Sequence, residues 1–130
     1  MEGAMDKKRV WLYCRIAHEA PENEWCMKAQ LASLESYAAS GNLQIVGTTC
    51  EYGAGTTLDR QGLRDMSEAV KAGRIDAILV KNLSRLARGC QEAAQYIHFL
   101  NQHSTTLISV DDGLELSQLL TLNTEHLASL

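Results

Sequence analysis

Apolar runs of strand length alternate with amphipathic stretches along this chain. The first run, Val10-Trp11-Leu12-Tyr13-Cys14-Arg15-Ile16-Ala17, is rich in β-formers. It predicts a strand over about residues 9–16, apolar enough to be covered on both faces and so central in a parallel sheet. A polar loop follows from His18 to Glu24, with the chain's only proline at Pro21. Met27, Leu31, Leu34 and Ala38 then recur at helical spacing, predicting a helix over roughly 24–40 that Gly41 stops. A second strand runs from Leu43 to about Thr49.

The stretch Glu51 to Leu58 holds two glycines among polar residues and reads as a flexible loop. Asp59 has the chemistry of an N-cap for a helix with Leu63, Met66 and Val70 on one face, ended by Gly73. Ile75 to Val80 is again continuously apolar and predicts a third strand. The basic segment Lys81 to Arg88 precedes a helix over about 89–103 that buries Cys90, Ala93 or Ala94, Ile97 and Leu100. A fourth strand covers Thr105 to Val110, and Asp111-Asp112-Gly113 makes a turn. A last helix is expected from about Leu114 to the end.

This alternation predicts an α/β domain of three layers. A mostly parallel sheet of four to five strands carries helices on both faces, with a leucine-rich helix after it. The expected division is a disordered tail over 1–8, a domain over 9–113 and the terminal helix over 114–130.

Composition narrows the function classes. A length of 130 residues, with 45% hydrophobic and 22% charged, suits one globular domain. No stretch reaches the roughly 18 apolar residues of a membrane span, and Met1 to Arg9 has no signal-like apolar core. Cys14, Cys26, Cys50 and Cys90 show no ligand-like spacing. Cys14 and Cys90 sit in apolar settings and read as reduced packing residues of a cytoplasmic protein. The net charge of −4 argues against a general nucleic-acid footprint. After Arg88 there is no Lys or Arg, while Glu92, Asp111, Asp112, Glu115 and Glu125 follow.

The candidate chemistry lies in arginines. Arg15 ends a buried strand, where a cation is expensive to bury, so it is expected to face the sheet's carboxyl edge. Arg60, Arg85 and Arg88 sit where later loops leave strands or enter helices. In a doubly wound sheet those loops converge on one edge. Guanidinium forks match phosphate oxygens and stay charged. A cluster of them repels itself unless an anion fills the middle, so a phosphodiester site is one reading. Solvated loop cations are the other.

Three ordered blocks resemble the serine recombinases, the resolvase and invertase family. Tyr13-Cys14-Arg15-Ile16-Ala17 is similar to the opening strand, where the family's nucleophilic Ser stands at the position of Ala17. Leu58-Asp59-Arg60-Gln61-Gly62-Leu63 resembles a second segment, and Leu79-Val80-Lys81-Asn82-Leu83-Ser84-Arg85-Leu86-Ala87-Arg88 a third. The resemblance spans roughly residues 9–113. It implies strand cleavage and rejoining of DNA through a phosphoserine link, with no metal or cofactor. It assigns Arg15, Arg60, Arg85 and Arg88 to charge stabilisation, adds Lys81 to the phosphate-binding set, and makes Gln30 a further polar site residue. Glu51 falls where an acid is usual, and Ser84 where many relatives carry Asp.

Ala17 has no oxygen, so the implied enzyme lacks its nucleophile. His18 beside it points to the other face of a strand and reads as a loop residue. The chain reaches Leu130 with no basic arm or DNA-binding segment, so DNA is the implied partner but weak duplex binding is expected. Leu116, Leu119, Leu120, Leu122, Leu127 and Leu130 cover more of the last helix than one narrow stripe. A homodimer through Leu116, Leu120 and Leu127 is expected, as the family's corresponding helix implies. The first expectation is therefore a recombinase catalytic domain that does not cleave. The alternatives are a non-catalytic dimerising or regulatory module, and a receiver-like signalling domain, which the lack of paired acids after the first strand disfavours.

Overall fold

The computed structural model describes residues 7–54 and 58–111, and the backbone of residues 114–115. Strand β1, Arg9–Ile16, is followed by helix α1, Asn23–Ser40, and strand β2, Gln44–Tyr52. Helix α2, Gln61–Lys71, leads to β3, Ala77–Val80; then come α3, Leu83–Leu86, α4, Cys90–Gln102, β4, Thr106–Ser109, and β5, Leu114–Glu115. Among the described residues, one sheet holds five strands in the order β2-β1-β3-β4-β5. The pairs β1–β2, β1–β3 and β3–β4 are parallel, and β4–β5 is antiparallel.

The two faces of β1 build two cores. Val10, Leu12, Cys14 and Ile16 pack with Met27, Leu34 and Ala38 of α1. Tyr13 faces the other way, with Leu63, Met66 and Val70 of α2 and Tyr96, Ile97 and Leu100 of α4. This is the expected sheet with helices on both faces, and its order puts β1 inside, as its unbroken apolar run requires.

Four local expectations change. First, β2 runs on to Tyr52, although the polar residues after Thr49 suggest a loop. At the sheet's edge a strand is half solvated, so polar residues suit it, and pairing with β1 holds it through Ile16↔Tyr52. Second, Asp59 is not the cap of α2. The N-cap is Arg60, in extended conformation, and Asp59 is ion-paired with Arg64. Third, Cys90 is exposed on the first turn of α4, and Ala93, Tyr96, Ile97 and Leu100 make the buried stripe. Fourth, Leu114–Glu115 is not a helix start but a strand beside β4. The expected leucine seam over residues 116–130 and the expected tail before Lys7 lie outside the described residues.

Among the described residues no helix is long and apolar enough to cross a membrane.

Candidate functional site: an arginine cluster at the carboxyl edge of the sheet

Arg15 leaves β1 on the face of Trp11 and Tyr13, the α2–α4 side, and is almost wholly buried at 3% exposure. A bare guanidinium at that depth is unfavourable unless its donors are met. Nε donates to the Arg85 carbonyl at 2.7 Å, Nη1 to Gly53 at 2.6 Å and Nη2 to Ser84 at 2.7 Å. Those acceptors come from the turn after β2 and from α3. Burial lowers the Arg15 pKa, and the positive charges of Arg60, Arg85 and Arg88 lower it further. Arg60, Arg85 and Arg88 are therefore near enough to Arg15 to act on its charge, and Arg15 itself lies at the carboxyl end of β1.

Arg60, also buried, repeats the arrangement from α2. Nη1 donates to the Ala54 carbonyl at 2.9 Å and Nη2 to that of Leu86, while Nε donates to the Tyr13 hydroxyl at 3.0 Å. A one-turn helix cannot satisfy its own terminal carbonyls. Here Arg15 and Arg60 satisfy three in succession, on Ser84, Arg85 and Leu86. The same two side chains hold Gly53 and Ala54 in place, and so fix the start of the loop that links β2 to α2.

The Glu51 carboxylate joins the cluster from β2. Oε2 accepts from the Tyr13 hydroxyl at 2.5 Å and lies 3.5 Å from Arg60 Nε. Oε1 accepts from the Gly62 N–H at 2.8 Å, so the acid caps α2 from a neighbouring strand. Burial raises the Tyr13 pKa and the bond to Glu51 raises it again, which keeps the hydroxyl neutral and donating. Tyr13 carries no site role in the sequence reading, and Glu51 is singled out there only as a position where an acid is usual. Tyr13 is two residues before Arg15 on a strand, hence on its face, and that spacing was the available signal.

The other candidates fall into two groups. Gln30 is buried on α1 and clasps the Arg15 backbone, with Oε1 accepting from N at 2.9 Å and Nε2 donating to O at 3.3 Å. It holds the strand end rather than reaching the guanidinium. Lys81 is paired with Asp111 at 3.3 Å. Arg85 is half-buried with its Nε in the interior and, among the described residues, no acceptor on it. Arg88 is exposed and forms no ion pair with a described residue. Ala17 is half-buried just beyond Ile16, and His18 is exposed with its carbonyl accepting from Asn23.

Chemically, this is a concentration of positive charge with donors to spare. Each guanidinium carries five N–H groups. Arg15 commits Nε and one hydrogen on each Nη, leaving two. Arg85 and Arg88 add more. A tetrahedral oxyanion meets such a set well. The cleft beyond the end of β1, about 360 Å3, is lined instead by Glu19, Ala20, Pro21, Glu24 and Tyr52.

Known structures share this fold. The N-terminal catalytic domain of TP901-1 integrase is 19% identical and superposes with a TM-score of 0.78, covering 94% of this chain and 98% of that one. A resolvase family site-specific recombinase from Streptococcus pneumoniae is 24% identical, with a TM-score of 0.77 over 95% of this chain and 89% of that one. The C-terminal catalytic domain of ISC1926 TnpA, an IS607-like serine recombinase, is 18% identical, with a TM-score of 0.72 over 88% and 77%. The family model described as "Resolvase, N terminal domain" matches residues 10–127, nearly the whole chain, and the chain belongs to that family.

Proposed function

We infer that this domain holds a DNA phosphodiester on Arg15, Arg60, Arg85 and Arg88 and does not cut it. The observation that carries the reading is the buried Arg15 guanidinium at the end of β1, whose pKa burial and the charges of Arg60, Arg85 and Arg88 lower, two residues before Ala17, whose side chain has no nucleophilic atom. The described hydroxyls nearby do not replace it. Tyr13 is neutral and bonded to Glu51, and Ser84 Oγ is exposed and donates to Asn82 Oδ1 at 2.6 Å. Self-association through Leu116, Leu120 and Leu127 and a cytoplasmic setting belong to the same reading. The test is a suicide DNA substrate, run on a denaturing gel beside a binding titration. Oligonucleotide binding that weakens with salt, and no covalent adduct, are expected. A protein–DNA band that survives denaturation overturns the reading.

A second reading is a dimerising module that keeps the fold without using the site. It is favoured by the commitment of Arg15 and Arg60 to backbone carbonyls. R88Q separates the two, because Arg88 is exposed and holds no described partner. A several-fold loss of oligonucleotide affinity supports phosphate binding, and unchanged affinity supports the module. Light scattering on the double variant L120D/L127D tests the association itself: a dimer that becomes a monomer is expected.

A further inference from the structure

Cys14 and Cys50 are in register across the pairing of β1 with β2. Residues in register on neighbouring parallel strands share a face. Cys14 packs among Met27, Leu34 and Ala38, so that face is the one under α1. Because β2 is the edge strand, the sheet buries Cys14 and leaves Cys50 exposed. Paired strands lie about 4.8 Å apart, within the roughly 4.4–6.8 Å between Cα atoms that a disulfide spans. Cys26 and Cys90 are exposed on helices and stand in no such register.

We propose that Cys14 and Cys50 are a disulfide-forming pair, with Cys50 reacting first with a small-molecule disulfide and Cys14 closing the bond. In the first step Cys50 gives its proton to solvent, and its thiolate attacks one sulfur of the reagent. The reagent's S–S bond breaks and one thiol leaves. In the second step the Cys14 thiolate attacks the Cys50 sulfur and expels the reagent's other half as a thiol. Two protein thiols are oxidised, and the reagent disulfide is reduced to two thiols. Cβ atoms on a flat parallel pair stand about as far apart as the strands, beyond the roughly 3.5–4.5 Å of a relaxed disulfide. The bond is therefore strained, easily reduced and reversible. It lies one residue before both Arg15 and Glu51, and it pins the edge strand where the arginine cluster begins. Burial raises the pKa of both thiols; their mutual interaction then raises that of Cys14 and lowers that of Cys50, while the Glu35 carboxylate on α1 raises both and Arg85 opposes the rise at Cys14. Exchange is accordingly slow at neutral pH and faster in mild alkali.

The test uses the C26S/C90S double variant, oxidised glutathione in mild alkali, then denaturation, alkylation and intact mass. Before oxidation two alkyl groups are expected. Afterwards none is expected, with the chain lighter by two hydrogen atoms, and dithiothreitol restores both. Adding C50S removes the effect. In the unsubstituted chain a peptide map shows the Cys14 and Cys50 peptides joined. Both thiols remaining alkylatable, or a glutathione adduct that stays on Cys50 without closing, overturns the proposal.

Discussion

Arg15 and Glu51 stand opposite each other across the β1–β2 pairing and do not form an ion pair. Arg15 donates to three neutral carbonyls, and Glu51 turns to Tyr13, Gly62 and Arg60. The difference matters for charge. A carboxylate on Arg15 would cancel its field, whereas carbonyls satisfy its donors and leave the positive charge intact. An anion at the sheet edge then meets uncompensated charge in a poorly solvated setting, where Coulomb attraction is strong.

Glu51 is thus a brace for the site. E51A leaves the Gly62 N–H and the Tyr13 hydroxyl without their acceptor and Arg60 without its counter-charge. Losing hydrogen bonds to a charged group costs about 1.5–3 kcal/mol each at partly buried positions. The urea midpoint is expected to fall by an amount equivalent to about 2 kcal/mol or more, with an unchanged m-value. An unmoved midpoint would show that the carboxylate supports neither α2 nor the arginine.

Arg15 and Arg60 differ from Arg88 in what they hold. R60K puts one ammonium where a fork reached Tyr13, Ala54 and Leu86. It should destabilise the domain by about 1–3 kcal/mol, since at least one buried carbonyl loses its donor. R88Q, on an exposed side chain, should stay within about 0.5 kcal/mol of the parent. Thermal melts of both variants check this. Equal losses would mean that Arg60 is no more structural than a surface cation.

Much of this was legible in the sequence, and the failures share a cause. The order and type of the four long strands and three long helices followed from apolar periodicity, because continuous runs and helical stripes report burial directly. Arg15 and Arg60 were legible as neighbours because parallel strands bring their carboxyl ends together. The acceptors of those arginines were not. They are backbone carbonyls on Gly53, Ala54, Ser84, Arg85 and Leu86, and every residue type carries a carbonyl. The end of β2, past Thr49, is hidden for a related reason: Glu51 looks like a loop residue until an edge strand needs it. Asp59 had the right chemistry for a cap, and Glu51 took that place from a distance.

The alkaline limb of stability tests the α2–α4 core. Tyr96 packs there with its hydroxyl 2.8 Å from Ser67 Oγ, and burial pushes its pKa up to about 12 from 10.0. A raised folded-state pKa means that the neutral form is favoured by folding. Its contribution is complete below pH 10 and declines as pH climbs towards 12. Y96F removes the titration and should flatten the loss over that window, by up to about 1.4 kcal/mol per pH unit. Tyr13, raised in the same direction, leaves a residual slope. Urea melts of parent and Y96F across that window make the comparison. Parallel curves would place the alkaline loss elsewhere.

Gly47 supplies the last test, at the other end of β1. The register shifts between Val10 and Trp11, so that Trp11 pairs with Gly47 and Val46 is the extra residue of a bulge. A Cβ at position 47 would run into the Trp11 ring, whose Nε1 donates to Thr49 Oγ1 at 2.9 Å. The backbone of Gly47 is not in the left-handed region, so glycine is required here by the indole and not by conformation. G47A must therefore displace a half-buried ring that is also tied by a hydrogen bond, at about 1–3 kcal/mol. W11L has its own penalty in lost aromatic burial, but it removes the obstacle. In the W11L background G47A should be close to neutral, giving a coupling energy of about 1 kcal/mol or more in the double-mutant cycle. Four urea midpoints complete the cycle. If G47A loses as much stability without the indole as with it, then the bulge itself demands glycine, and Trp11 lies over it only by consequence.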